Sequence, residues 1–285
     1  MDNIEQTGSM QSLPEPDQLP FVASCNKLPM FAALEWMALG WKDFKASPRV
    51  SLIYGFILTV ISYLLALLSW KLGGAVLLFS LLSGLVFLAP ILALGLYSVS
   101  CQLESGFDPK FAFCIREGRR HLGNELVFSV VMLIVFLVWV RAGSAIHIFF
   151  PMESDPELAE YIIFYSVGSV VGAVFAAIVF CASAFSLPMM MDRKADAITA
   201  VLTSVNAVMT NKLPMMVWAC IIVATFLICL LTAFLAMTVL MPILGYATWH
   251  GYKQTIDASI WQENQKINEQ HPLDDKTDSQ STNSD

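Results

Sequence analysis

Hydrophobic positions in this chain gather into long runs separated by short charged segments. Four runs stand clear, at residues 50–70, 72–100, 126–140 (trailing on to 150) and 161–191. They match the ~20 apolar residues needed to cross the hydrocarbon core of a bilayer, which a buried soluble helix does not require. A fifth run, 213–248, holds 36 residues. That is too long for one crossing and just enough for two helices of ~18 residues joined by a tight turn. The pattern alone leaves five or six spans.

Charge placement favours six. Lys and Arg concentrate beside spans on the cytoplasmic side. Lys27, Lys42, Lys45 and Arg49 precede the first run; Lys110, Arg116, Arg119 and Arg120 lie between the second and third; Arg193, Lys194 and Lys212 lie between the fourth and fifth. The segment joining the third and fourth is acidic, with Glu153, Asp155, Glu157 and Glu160. The N-terminus is therefore expected inside a bacterial-type inner membrane. With two helices in the last run, the tail carrying Lys253, Lys266 and Lys276 is inside as well, and only Lys71 and Arg141 lie toward the outside.

Repetition points the same way. Each basic segment reads as an amphipathic helix leading into a pair of spans. Met30, Leu34, Met37, Trp41 and Phe44 form the first stripe. Phe111, Ile115, Gly118 and Leu122 form the second, after Asp108-Pro109 as cap and first-turn proline. Ile198, Val201, Leu202, Val205 and Met209 form the third. Such helices lie in the interface plane or cover the ends of a bundle. Pro90, Pro188 and Pro242 recur near the cytoplasmic end of the second span of each pair, where helix termination is the expected role and a kink the alternative. Ser47-Pro48 reads as the cap that starts the first span, and Asn124 and Asn211 hold comparable places before the third and fifth. The predicted fold class is all-α: a polytopic bundle of six spans as three hairpins, with cytoplasmic amphipathic helices. The membrane domain covers 29–257. Polar tails at 1–28 and 258–285 are expected to be disordered, and the first shows no signal-peptide pattern.

Composition agrees, at 56% hydrophobic and 14% charged residues. The net charge of −7 comes from the tails and one loop, so nucleic-acid binding has no basic footprint. The six cysteines show no paired spacing and read as small reduced hydrophobes.

Particular residues resemble a known family. Ala38-Leu39-Gly40-Trp41-Lys42-Asp43, then Pro48 and Ser51-Leu52-Ile53-Tyr54-Gly55, open the likeness. It continues through Ala89-Pro90-Ile91-Leu92, Gly95-Leu96-Tyr97, Trp139-Val140-Arg141, Asp192-Arg193 and Asn211. It ends on Pro242-Ile243-Leu244-Gly245 with Thr248-Trp249-His250 and Tyr252. In this order, over about residues 30–257, they resemble a bacterial integral-membrane family known only as domain of unknown function 2189. Ser100-Cys101-Gln102 departs from it, standing where a basic residue is expected after the second span. The resemblance implies a polytopic inner-membrane protein and supplies no activity. A cytochrome oxidase role does not suit the chain: haem needs inward-facing axial ligands, and His147 and His250 are placed toward opposite faces of the bilayer.

Several residues carry chemistry worth weighing. Arg141 is either an intramembrane functional charge or, beside Trp139, an anchor reaching the headgroups. Gly168, Gly172 and Ala176 form a small-xxx-small stripe, suited to helix packing within the chain or between two copies. Asp43, Asp192 and Asp196 are read as caps and surface ion pairs, with an ion or headgroup site as the sharper alternative. Trp41 sits on the first amphipathic stripe, while Trp249, His250 and Tyr252 end the last span as interface aromatics. His121 shares their side, but two histidines do not make a metal site. Met189, Met190 and Met191, like Met215 and Met216, are packing residues, because adjacent methionines on a helix diverge by about 100°. No cofactor or metal set is expected. The expected partners are the lipid bilayer and either a second copy or another membrane protein. A non-enzymatic scaffold or assembly factor leads, followed by a transporter or channel for a small solute or lipid, then an enzyme, for which no acid/base or nucleophile set gathers at one depth.

Overall fold

The computed structural model describes residues 20–72, 75–120, 122–149 and 158–264. The acidic segment with Glu153, Asp155 and Glu157, His121, Lys266, Lys276 and the distal parts of both tails lie outside these residues, as do the side chains of Arg119, Arg120 and His147. In chain order come β1 (Ser24–Cys25), α1 (Ala32–Ala46), α2 (Pro48–Leu72), α3 (Ala75–Glu104), α4 (Phe111–Arg120), α5 (Leu122–Phe149) and α6 (Leu158–Ser183). Then follow α7 (Ser186–Asp192), α8 (Ala197–Thr210), α9 (Lys212–Leu231), α10 (Met237–Thr255) and β2 (Ile256–Asp257). Among the described residues the regular structure is helical apart from a two-residue ladder, in which β1 and β2 pair antiparallel, and an isolated bridge between Arg193 and Glu263.

Among the described residues, four segments are long and apolar enough to cross a membrane: Pro48–Lys71, Gly123–Ala145, Leu158–Asp192 and Lys212–Leu231. Only 17% to 28% of their most apolar windows is buried by the rest of the chain. An aqueous protein would not leave so much apolar surface open, so lipid is its natural solvent. α3, at 30 residues with Pro90 inside it, and α10, at 19 residues with Pro242 inside it, are the other long helices of this set.

The ambiguous run at 213–248 is two helices. α9 ends in a Schellman arrangement: Phe234 N–H donates to the Cys229 carbonyl at 2.6 Å and Ala233 N–H to that of Leu230 at 3.1 Å. Ala233 and Phe234 both take positive φ, 48° and 64°. An L-residue there is strained by about 1–2 kcal/mol, which glycine avoids. Ala233→Gly is therefore expected to stabilise the protein by about 1 kcal/mol, read as a raised thermal midpoint in detergent.

The prolines do not act as terminators in α3 and α10. Pro242 has no N–H to offer the Thr238 carbonyl four residues earlier. α2 crosses α10 at that place: a Cβ on Gly55 would run into the Thr238 backbone, and Thr59 Oγ1 meets Thr238 Oγ1 at 2.9 Å. Further along, Ser51 Oγ meets Tyr246 Oη at 2.7 Å, so α2 and α10 run antiparallel. Pro188, in contrast, follows a break in the helical path and lies near the start of α7.

The best-packed part of the molecule is a capping layer where α2, α9 and β2 begin and α3, α6 and α10 end. α1, α7, α8 and the ladder build it, around Trp36, Phe185, Met189, Trp218, Trp249, Tyr252 and Trp261. Both expected tails contribute. Ala23 is buried, and Leu28 N–H donates to Asn211 Oδ1 at 2.9 Å. Ala258 and Trp261 are buried too. The boundaries drawn at 28 and 257 thus fall within packed structure, because pairing of β1 with β2 draws both ends inward.

The stripes expected on α1 and α8 are turned around in part: Phe44 is buried, and Met37 and Val201 pack against the core. α1 buries Ala33, Trp36, Gly40 and Phe44, while Met30, Leu34 and Trp41 of the expected stripe are exposed. α8 buries Ala200, Thr203, Ser204 and Ala207, and exposes Ile198, Leu202 and Met209. Many of the residues facing the bundle are small, which allows close backbone approach, with Trp36 and Phe44 as the large side chains that α1 turns inward. α4 begins at Phe111, so Asp108 does not cap it. Gln102 Oε1 instead accepts from Lys110 N–H at 3.2 Å, just ahead of the first turn.

Candidate functional site

The capping layer gathers most polar candidates. Asp192 closes α7, and its Oδ2 accepts from Tyr252 Oη at 2.8 Å and Arg193 Nε at 3.0 Å, with Lys253 Nζ at 3.6 Å. Arg193 also donates from NH1 to the Trp261 carbonyl at 3.1 Å, and its NH2 lies 3.2 Å from Glu263 Oε1. Burial opposes the charge on Arg193, but Asp192, Tyr252 and Glu263 together outweigh it and the guanidinium is held more basic than usual. Nearby, hydrogen bonds from Ser259 hold the Asp257 carboxyl below the usual carboxylate range.

The segment after β2 lies along α7 and the turn that follows it. Asn264 Nδ2 donates to the carbonyls of Met190, Met191 and Arg193 at 2.9 to 3.0 Å. Lys194 N–H donates to the Gln262 carbonyl at 2.9 Å and Asn264 N–H to that of Asp192 at 3.0 Å. Arg193 pins this strap by contacts to both Trp261 and Glu263. A charge-assisted hydrogen bond contributes about 1.5–3 kcal/mol. Arg193→Ala is accordingly expected to lower the local opening free energy of 258–264 by about 2 kcal/mol. Limited proteolysis should then cut this segment faster, with the helical circular dichroism signal retained.

A polar cavity of about 250 Å³ opens beside this hub, lined by Asn26, Asp192, Tyr252, Lys253, Asp257 and Ser259 among others. Its acidic and basic groups balance. Arg193 is committed to protein acceptors, so the cavity offers no concentrated charge for an ion. Among the described residues, no group of three or more His, Cys, Asp or Glu could hold a metal.

The other candidates are dispersed. Asp43 Oδ2 meets His250 Nε2 at 2.8 Å, linking α1 to α10. Trp249 Nε1 donates to Glu104 Oε2 at 3.1 Å, linking α10 to α3. Asp196 caps α8 through the N–H groups of Ile198 and Thr199. Trp41 is 45% exposed, stacked on Phe44 with Lys45 Nζ 5.9 Å from its ring centre. Arg141 is exposed and four residues from the end of its apolar segment, next to exposed Trp139. Gly168 and Gly172 face open space: a Cβ at either would meet nothing within 4 Å. Close approach occurs instead at Gly40, Gly55, Gly95, Gly245 and Gly251. Met189, Met190, Met191 and Met215 are buried in the core, whereas Met216 is exposed.

Trp36, Trp261 and Asn264 are structural residues that sequence reasoning passed over, and Arg193 was singled out only as a flanking charge and within the family-like order. Only Ile260-Trp261, an apolar pair in a polar tail, carried a local signal. Asn211 does more than precede α9: its side chain accepts from Leu28 N–H and donates to the Asn26 carbonyl at 2.9 Å, tying the N-terminal segment to the α8–α9 junction.

Comparison with known proteins gives one positive result. The model of a family described as "Predicted integral membrane protein (DUF2189)" matches residues 77–192. This stretch runs from the start of α3 to the last residue of α7, and is narrower than the 30–257 span of the motif resemblance. No curated protein and no solved structure matches the chain.

Proposed function

We propose that this integral membrane protein is a non-enzymatic scaffold or assembly factor of a bacterial inner membrane. Its six spans are α2, α3, α5, α6, α9 and α10, paired as three hairpins, with the capping layer and both chain ends cytoplasmic. Lys42, Lys45, Arg49, Lys110, Arg116, Arg193, Lys194, Lys212 and Lys253 all belong to the capping-layer end, as the bias of cytoplasmic loops requires. Lys71 and Arg141 belong to the other.

One observation carries the reading: polar groups are engaged with one another in the capping layer, while the larger cavities between long helices are apolar. The cavity among α3, α5 and α6, about 500 Å³, is lined by residues such as Pro90, Phe128, Met132 and Phe175. A solute path needs polar groups at mid-depth, yet Thr59, midway along α2, is taken up by Thr238 of α10. The outward faces of α1 and α8 add an apolar border around the cap that suits headgroups or a partner. In mild detergent, a partner membrane protein should co-purify in stoichiometric amount. Purification alone, together with solute flux in liposomes, would overturn the scaffold. A reporter fused after residue 285 should be active in the cytoplasm; periplasmic activity would refute six spans.

Transport has one specific point in its favour. A cavity of about 300 Å³ among α2, α3 and α10 includes Ser62, Tyr97 and Thr248 and adjoins two helices with internal prolines. The liposome flux assay separates the two readings.

A further inference from the structure

α6 and α9 do not close on each other; α8 bridges them at the capping-layer end, where Ser204 Oγ donates to the Cys181 carbonyl at 2.8 Å. Between them lies a groove of about 630 Å³. Its floor is made of small side chains, Ala173, Ala177 and Ala219, and its walls include Met216 and Ile222. Among the described residues, Lys212, at the start of α9, is its one charged lining residue. On α9 the lining runs from Lys212 to Val223. At 1.5 Å per residue that is about 16 Å. Half of a hydrocarbon core of ~30 Å is ~15 Å, so the groove has the depth of one leaflet.

We propose that this groove is a specific phospholipid site, in which one acyl chain lies against α6 and α9 and the lipid phosphate meets Lys212. Length, apolar lining and a single cation at the interfacial end complement those parts of the lipid. A transmembrane helix from a second copy would have no use for a charge at the rim or for a groove that stops at mid-depth. The proposal requires only that the helices be in a bilayer, and stands apart from the scaffold reading.

The test uses the full chain in mild detergent, titrated with phosphatidylglycerol and followed by native mass spectrometry. One lipid should be retained per chain. Lys212→Gln should weaken retention about fivefold, the effect of one lysine near an anionic surface. Ala219→Phe should abolish it by filling the floor, while Lys42→Gln, on α1, should leave it unchanged. Unaltered elution and thermal midpoint of Lys212→Gln make that variant decisive if Ala219→Phe folds poorly. Equal retention by wild type and Lys212→Gln would overturn the site, reducing the lipid to unspecific solvent. So would a cross-linked dimer that disappears in Ala219→Phe, which would place a second copy in the groove.

Discussion

Trp36→Ala is expected to cost about 3–5 kcal/mol, the range for removing a fully buried large aromatic side chain. The indole makes edge contacts with Phe185 at 6.0 Å and Trp218 at 5.5 Å between ring centres. It fits over Gly251 so tightly that a Cβ there would lie 2.9 Å from the ring. Its Nε1 donates to Gln254 Oε1 at 2.8 Å. One side chain thus joins α1, the turn before α7, α9 and α10. Its loss leaves a cavity that four separate elements cannot collapse into together. The midpoint of thermal unfolding in detergent should fall sharply, and residues 20–28 and 256–264 should become protease-sensitive together. A midpoint within a degree or two of wild type would show that the capping layer is not a cohesive unit.

The second large effect concerns the α2–α10 crossing. Gly55→Val is expected to destabilise by about 3 kcal/mol, the upper end for overpacking, because the added atoms meet backbone rather than a movable side chain. The obstacle is the Thr238 peptide, whose carbonyl Pro242 cannot bond. Gly168→Ala supplies the contrast. It adds the same first atom to a helix, but into open space, and should gain up to about 1 kcal/mol from helix propensity. Comparing the two in one detergent tests which glycines hold helices together. Similar behaviour of both variants would contradict the packing at Gly55.

The contrast also shows where local patterning stops being informative. The stripe Gly168-x3-Gly172-x3-Ala176 is a clear small-residue motif, yet a Cβ added at either glycine would touch no other helix within 4 Å. Gly40, Gly55 and Gly245, noticed only as parts of a family-like order, are where backbones and side chains come closest. Spacing tells which residues share a face but not what that face meets. The amphipathic stripes of α1 and α8 fail in part for a related reason. In water, the large apolar side of a helix must turn inward. Beside a bilayer, lipid accepts it equally well, so close packing decides the orientation and brings Ala33, Gly40, Ser204 and Ala207 inside together with Trp36 and Phe44.

Apolar run length and charge bias, both local properties, sufficed to establish a helical membrane protein and favoured two helices over residues 213–248, which the structure shows as α9 and α10. They also placed Asp43, Asp192, Trp249 and Tyr252 at one end of the bundle. Tertiary structure alone decided that the turn after α9 uses Ala233 and Phe234 in the left-handed region, with no glycine to announce it. It alone decided that Pro90 and Pro242 remain inside helices, and that Asp192 and Arg193 fasten a C-terminal strap some 70 residues away. The division has a physical cause. Solvation free energy accumulates residue by residue along the chain, so a bilayer can be read from a linear pattern. Which surfaces then meet depends on shape complementarity between distant segments, which no single segment encodes.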